Sequence, residues 1–282
     1  MSAVPDDGAV VWVDGKVLPA AEASVAALDH GLTVGDGIFE TCKVVQGTPF
    51  ALSRHLRRLE RSALVLGLQV PDGVREAVDA VLGVGSLPLG RLRITVTGGT
   101  GPLGSMRGAD GARLVVAASP AQPWPSRIAV ISVPWTRNEN SAIAGAKTTS
   151  YAENVVALRA AQRVGAHEAL LANTRGELCE GTGTNVVLVL DGRLVTPPLS
   201  SGCLAGITRE LLLEWAHADG TPVEERTLSM DDLARAEGVL LTSSTRDVQP
   251  VAEMDGRPLA DTPAGRAAVQ LFARRASEDV DP

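Results

Sequence analysis

The sequence predicts an α+β fold in two subdomains, and three observations carry that prediction. Short apolar runs are joined by turn dipeptides, Asp14-Gly15, Gln46-Gly47 and Asp191-Gly192, which is hairpin chemistry. Helical patterns do not alternate strictly with strands, which argues against a doubly wound parallel sheet. The Pro-rich stretch "SPAQPWPS" (119–126) sits between two strand patterns as a linker. The expected domains are therefore 1–120, smaller and mixed, and 121–282, larger. With 282 residues, the chain is long enough for both.

"VVWVDGKVLP" reads as a first hairpin and "IFETCKVVQGTPF" as a second strand pair. Ser53 is placed to cap a helix running to about residue 66, in which Leu52, Leu56, Leu59, Ala63 and Leu66 recur at helical spacing. His55, Arg58 and Ser62 follow a different stripe, and Arg58 alone reads as a solvated helix arginine. "DGVREAVDAVLG" is a second helix; "RLRITVTGG", "ARLVVAAS" and "RIAVISVPW" are strands. Beyond the linker come a loop with Lys147, a helix over about 152–164, and strands "EALLA" and "TNVVLVLDGRLV". A helix then starts near "GITRELLLEW", followed by strand, short helix, strand "GVLLTSS", a further strand and a closing helix near 263–275.

Composition narrows the function. Aromatic residues make up 3% of the chain, so its core is aliphatic. The formal charge of −7 argues against general affinity for nucleic acid or an anionic membrane. Cys42, Cys179 and Cys203 have no metal-ligand spacing and read as reduced thiols of a cytoplasmic protein; no metal is expected. The opening "MSAVPDDGAV" lacks a basic segment followed by an apolar run, so no secretory signal is expected. No 18-residue apolar run is present to span a membrane.

Only three of the 26 basic residues are lysine, and one of them, Lys147, lies among small and hydroxylated neighbours in "AGAKTTSYAEN". A primary amine can shed its proton and attack a carbonyl; a guanidinium does not. Three later stretches suit an anion and a ring. In "AGITRE", Gly206, Ile207 and Thr208 stand where a helix begins and backbone N–H groups are free. "LLTSSTRD" ends a strand in four hydroxyl residues, Thr242 to Thr245. In "GELCEGTGTNVVLVL", Glu180 precedes a small-residue loop; a carboxylate fixed beside a pyridine nitrogen keeps that nitrogen protonated. Each reading has a bland alternative: surface lysine, capping hydroxyls, turn glutamate. Taken in this order, they describe a pyridoxal phosphate site.

"LDHGLTVGDGIFETCKV", "HLRRLERSA", "AGAKTTSYAENV", "EALLANTRGELCEGTGTNVV", "LAGITRELLLEW" and "LLTSSTRDVQPV" resemble, in order, the motifs of the class IV aminotransferases, the fold-type IV pyridoxal phosphate enzymes. The likeness covers nearly the whole chain. It implies a two-domain, D-amino acid aminotransferase-like α+β fold and a homodimer acting on a small molecule. It also implies that Lys147 is joined to the cofactor aldehyde, that Glu180 pairs with the ring nitrogen, and that Arg58, Ile207, Thr208, Ser243 and Ser244 hold the phosphate. Thr182 and Asn185 are candidate donors to the ring hydroxyl or phosphate. D-amino acid aminotransferases carry a tyrosine where this chain has Phe39, and an Arg-x-His carboxylate trap where it has Leu103 and Ser105. Branched-chain enzymes usually place an arginine shortly after "FEG", where this chain reads "FETCKV". The pattern looks most like bacterial 4-amino-4-deoxychorismate lyase, with class IV transamination as the alternative. The lyase substrate bears two carboxylates, so Phe39, Arg93, Arg107, Arg137, Tyr151 and Arg246 are candidate pocket residues.

Overall fold

The structure is a computed structural model that describes residues 8–282, so the reading of the first seven residues lies outside it. The chain forms two compact units. The first runs to Pro123 and takes in Ala146–Ser150 and Val280–Pro282; the second comprises Trp124–Gly145 and Tyr151–Asp279. The sequence put the division at 120/121 and assigned both later segments to the second domain.

The first unit contains β1 (Val10–Val13), β2 (Lys16–Pro19), α1 (His30–Thr33), β3 (Gly37–Val45), β4 (Thr48–Pro49), α2 (Leu52–Leu66), α3 (Val74–Leu82), β5 (Leu89–Thr97) and β6 (Arg113–Pro120). Its sheet has the order β2-β1-β6-β5-β3-β4, with every pairing antiparallel. Alternation along the strands sends Ile38, Cys42, Val44, Leu92, Ile94, Val96 and Val116 into one core with the apolar faces of α2 and α3. The short helix α1 was not foreseen. Asp29 caps it, its carboxylate accepting from the Gly31 N–H at 2.8 Å.

Helix α2 departs from its expected start and face. Ser53 is not its cap: the cap position falls on Ala51, which offers no side-chain hydrogen bond. Asp281 serves instead, its carboxylate accepting from the Ser53 N–H at 2.8 Å and the Ser53 hydroxyl at 2.6 Å. The Ala51 N–H also donates to Val280 O. Nor is the second stripe solvated. His55, Arg58 and Ser62 are buried along with Leu52, Leu59 and Ala63, whereas Leu56 and Leu66 are only partly covered.

The second unit contains β7 (Ile128–Arg137), α4 (Ala152–Arg163), β8 (Glu168–Asn173), β9 (Leu178–Gly181), β10 (Asn185–Leu190), β11 (Arg193–Thr196), α5 (Ile207–Ala218), β12 (Glu224–Glu225), α6 (Met230–Arg235), β13 (Gly238–Ser243), β14 (Asp247–Met254), β15 (Arg257–Pro258) and α7 (Pro263–Glu278). Its sheet runs β12-β11-β10-β13-β14-β7-β8-β9, with β15 beside β14. The β14/β7, β7/β8 and β11/β12 pairs are parallel. Val186, Leu188, Leu170, Val239, Leu241 and Val251 anchor its aliphatic core. Glu180 lies on strand β9, which the sequence reading did not foresee, and the small-residue loop expected after it spans residues 182–184 before β10. Among the described residues, no helix is long and apolar enough to cross a membrane.

Candidate active site

In the first unit, the alternation of β3 turns Glu40 to the same side as the core residues Ile38 and Cys42, where it is fully buried. Helix α2 neutralises it. Arg58 donates as a fork, Nε to Oε1 and Nη2 to Oε2, each at 2.7 Å. His55 Nδ1 lies 2.6 Å from Oε2. Burial alone would raise the Glu40 pKa, but the Arg58 charge and the hydrogen bonds from Arg58 and His55 outweigh it and hold the carboxyl well below the usual range. Burial lowers the pKa of His55 more than Glu40 restores it, so the ring is neutral and Nδ1–H is the donor. Sequence reasoning passed over Glu40. The signal was an acid at a core-facing register position of an otherwise apolar strand.

The Lys147 segment runs along β3. The Phe39 N–H donates to Lys147 O at 3.0 Å and the Thr149 N–H to Gly37 O at 2.8 Å, with a bridge between Ile38 and Thr148. The Lys147 N–H donates to Ser62 Oγ on α2, one turn beyond Arg58. Glycine is needed at 37, because a Cβ there would meet Val96 O at 2.9 Å. Lys147 Nζ stands 4.3 Å from the Phe39 ring centroid, and Arg93 Cζ stands 3.7 Å from the same centroid. Lys147, Phe39 and Arg93 thus form one cluster. Arg107 is engaged elsewhere: Nε and Nη2 bind Asp36 at 2.7 Å, Nη2 also meets Leu66 O, and Nη1 meets Gly67 O.

In the second unit, Glu180 is buried on β9. Its Oε2 accepts from the Leu204 N–H at 2.9 Å, and its Oε1 lies 3.1 Å from Arg137 Nε at the end of β7. Arg137 Nη1 donates to Asn154 Oδ1, and Asn154 Nδ2 donates to Thr182 O. Thr182 donates its N–H and hydroxyl to the buried Glu168. Asn185 pairs across the sheet with Thr242 and donates to Leu204 O at 2.8 Å. Contacts thus run from the acid through Leu204 and Asn185 to the end of β13, where Ser243 and then Ser244 follow. Arg246 Nη2 lies 3.2 Å from Glu168, Nη1 meets Gln249, and the guanidinium stacks 3.8 Å from the Trp124 ring centroid. Tyr151 stands at the cap position of α4 without a capping side-chain bond.

Residues 37–254 match the amino-transferase class IV family. The chain belongs to that family. A branched-chain-amino-acid aminotransferase of Pseudomonas aeruginosa is 30% identical over 92% of this chain and 89% of its own length. A bifunctional aminodeoxychorismate lyase / D-amino acid transaminase of Mycobacterium tuberculosis is 31% identical over 93% of this chain and 96% of its own. A solved structure described as a hypothetical aminotransferase from Mycobacterium tuberculosis, PLP-bound form, superposes with a TM-score of 0.83 at 30% identity, covering 96% and 100% of the two chains. The class IV aminotransferases use pyridoxal phosphate, and the fold is theirs.

The donor set of this chain fits that cofactor. Helix α5 opens at Gly206 with no side-chain cap, which leaves its first N–H groups as anion donors. Gly206 lets the start of α5 approach β10 closely, since a Cβ there would lie 1.9 Å from Asn185 Oδ1. Beside Asn185, the buried Thr242 hydroxyl has no hydrogen-bond partner.

Proposed function

We propose that this chain is a pyridoxal phosphate enzyme that cleaves 4-amino-4-deoxychorismate to 4-aminobenzoate and pyruvate, and that it works as a homodimer. Arg58, the N-terminus of α5 at Ile207 and Thr208, and Ser243 and Ser244 would hold the phosphate. Glu180 would meet the ring nitrogen, and Thr182 and Asn185 would set the loop around it. When bound, the cofactor supplies a sink for the electrons left at the amine-bearing carbon.

The chain's own groups do the rest. The Lys147 amine would take the proton from that carbon as general base. The C–O bond to the enolpyruvyl group then breaks, the leaving group takes up a proton and departs as pyruvate, and the ring becomes aromatic. Arg93 would bind a substrate carboxylate. The observation that supports this reading is that Arg93 and Lys147 each stand over the ring of Phe39, which places a cation in the same cluster as the amine. In place of the tyrosine of D-amino acid aminotransferases, Phe39 is a buried apolar ring against which Arg93 and Lys147 pack. Arg107 and Arg246, already tied to Asp36 and to Glu168, are weaker pocket candidates.

Branched-chain transamination is the second reading, favoured by the Pseudomonas aeruginosa relative. Two measurements decide. Borohydride reduction followed by peptide mapping is expected to label Lys147, and Lys147→Ala is expected to lose both the label and the visible absorption of the bound cofactor. Pyruvate and 4-aminobenzoate released in equal amounts without an added 2-oxo acid support the lyase. An absolute requirement for a 2-oxo acid assigns the enzyme to transamination.

A further inference from the structure

The proposed role of Glu180 depends on its carboxylate staying ionised and fixed while buried. An ionised carboxylate removed from water is costly unless it is paired. Of its two oxygens, Oε2 is taken by a backbone donor, Leu204 N–H, and Oε1 has Arg137 Nε at 3.1 Å. That second contact is an ion pair by distance; Nε–H is not aligned as a hydrogen bond to any acceptor. Arg137 is itself held. Nη1 donates to Asn154 Oδ1 at 3.2 Å and lies 3.7 Å from the exposed Glu153 carboxylate. Asn154 in turn fixes Thr182 O in the loop that follows Glu180. The thiols of Cys179 and Cys203 also lie near; burial pushes their pKa up, so they stay neutral and bring no positive charge.

We infer that Arg137 is a positioning residue for the ring-nitrogen contact: it holds the Glu180 carboxylate ionised and in place through a charge of its own, rather than binding substrate. This rests on the function proposed above. It predicts that Arg137 matters to the cofactor only where the ring nitrogen does.

The test compares pyridoxal phosphate with 1-deazapyridoxal phosphate, which has carbon in place of that nitrogen. Affinities are measured by absorption titration on the full-length protein for wild type, Glu180→Gln, Arg137→Gln and Arg137→Lys. Wild type is expected to prefer the natural cofactor. E180Q should abolish that preference, R137Q should reduce it about tenfold, the worth of a contact between charged groups, and R137K should retain most of it. Should R137Q fail to fold by circular dichroism, Arg137→Met, of similar reach and no charge, takes its place. An unchanged preference in R137Q, or equal weakening toward both compounds, overturns the inference. Failure of wild type to be labelled at Lys147 overturns instead the function on which it rests.

Discussion

Consider first the side chains around Glu40. Two titratable groups there pull stability in one direction as pH falls. The Glu40 carboxyl sits below its ordinary value, so its contribution is whole above the usual glutamate range, about 4.3, and is lost as pH falls through the folded value. His55 is held neutral. Below the ordinary histidine range, about 6.5, the unfolded chain takes up a proton that the folded chain refuses, so stability again drops on acidification. The melting temperature of the cofactor-free protein should therefore decline between about pH 7.5 and about pH 5. In His55→Gln, which can still donate to Glu40 but cannot titrate, the decline should be shallower. An identical slope in the variant would remove His55 from the account. Lys147 drew notice by its rarity and by the stretches that follow it, and Glu180 by its setting; both roles stand as proposals. Glu40 went unread because its importance comes from the register of β3, and the face to which a strand turns is set by its partners.

At the scale of elements, the N-terminus of α5 is the part most sensitive to a single atom. Asn185 Oδ1 occupies the space that any side chain at 206 would need. Gly206→Ala must either push Asn185 from its bond to Leu204 O or tilt the first turn of the helix. The expected outcome is at least about a tenfold loss of affinity for pyridoxal phosphate, with affinity for unphosphorylated pyridoxal nearly unchanged. Titrating both compounds separates a phosphate defect from general damage. Most helices and strands were readable, because period and turn chemistry are local. The start of α2 was not. Ser53 has the chemistry of a cap, yet the stabilising carboxylate comes from Asp281, and no local pattern reports a partner 228 residues away.

At the scale of the molecule, cofactor binding is expected to register in the stability of the chain. A ligand that binds only the folded chain raises its stability by mass action, about 2.7 kcal/mol at a hundredfold excess over Kd. Adding pyridoxal phosphate should raise the unfolding temperature measured by calorimetry, and should do so less in Lys147→Ala. A rise of the same size in Lys147→Ala would remove that residue from the account of binding. The family was legible because six motifs span the chain in order. The return of residues 146–150 and 280–282 to the first unit was not, since a chain's path back to an earlier strand leaves no mark on its composition.

The buried acid of β3 also has a bearing on assembly. Its two partners on α2, the neutral His55 that donates to it and Arg58 that supplies the opposite charge, sit 15 and 18 residues downstream. A sheet that collapsed before that helix docked would trap an uncompensated anion in its interior, at a cost of several kcal/mol. Premature closure of the sheet without α2 is thereby disfavoured.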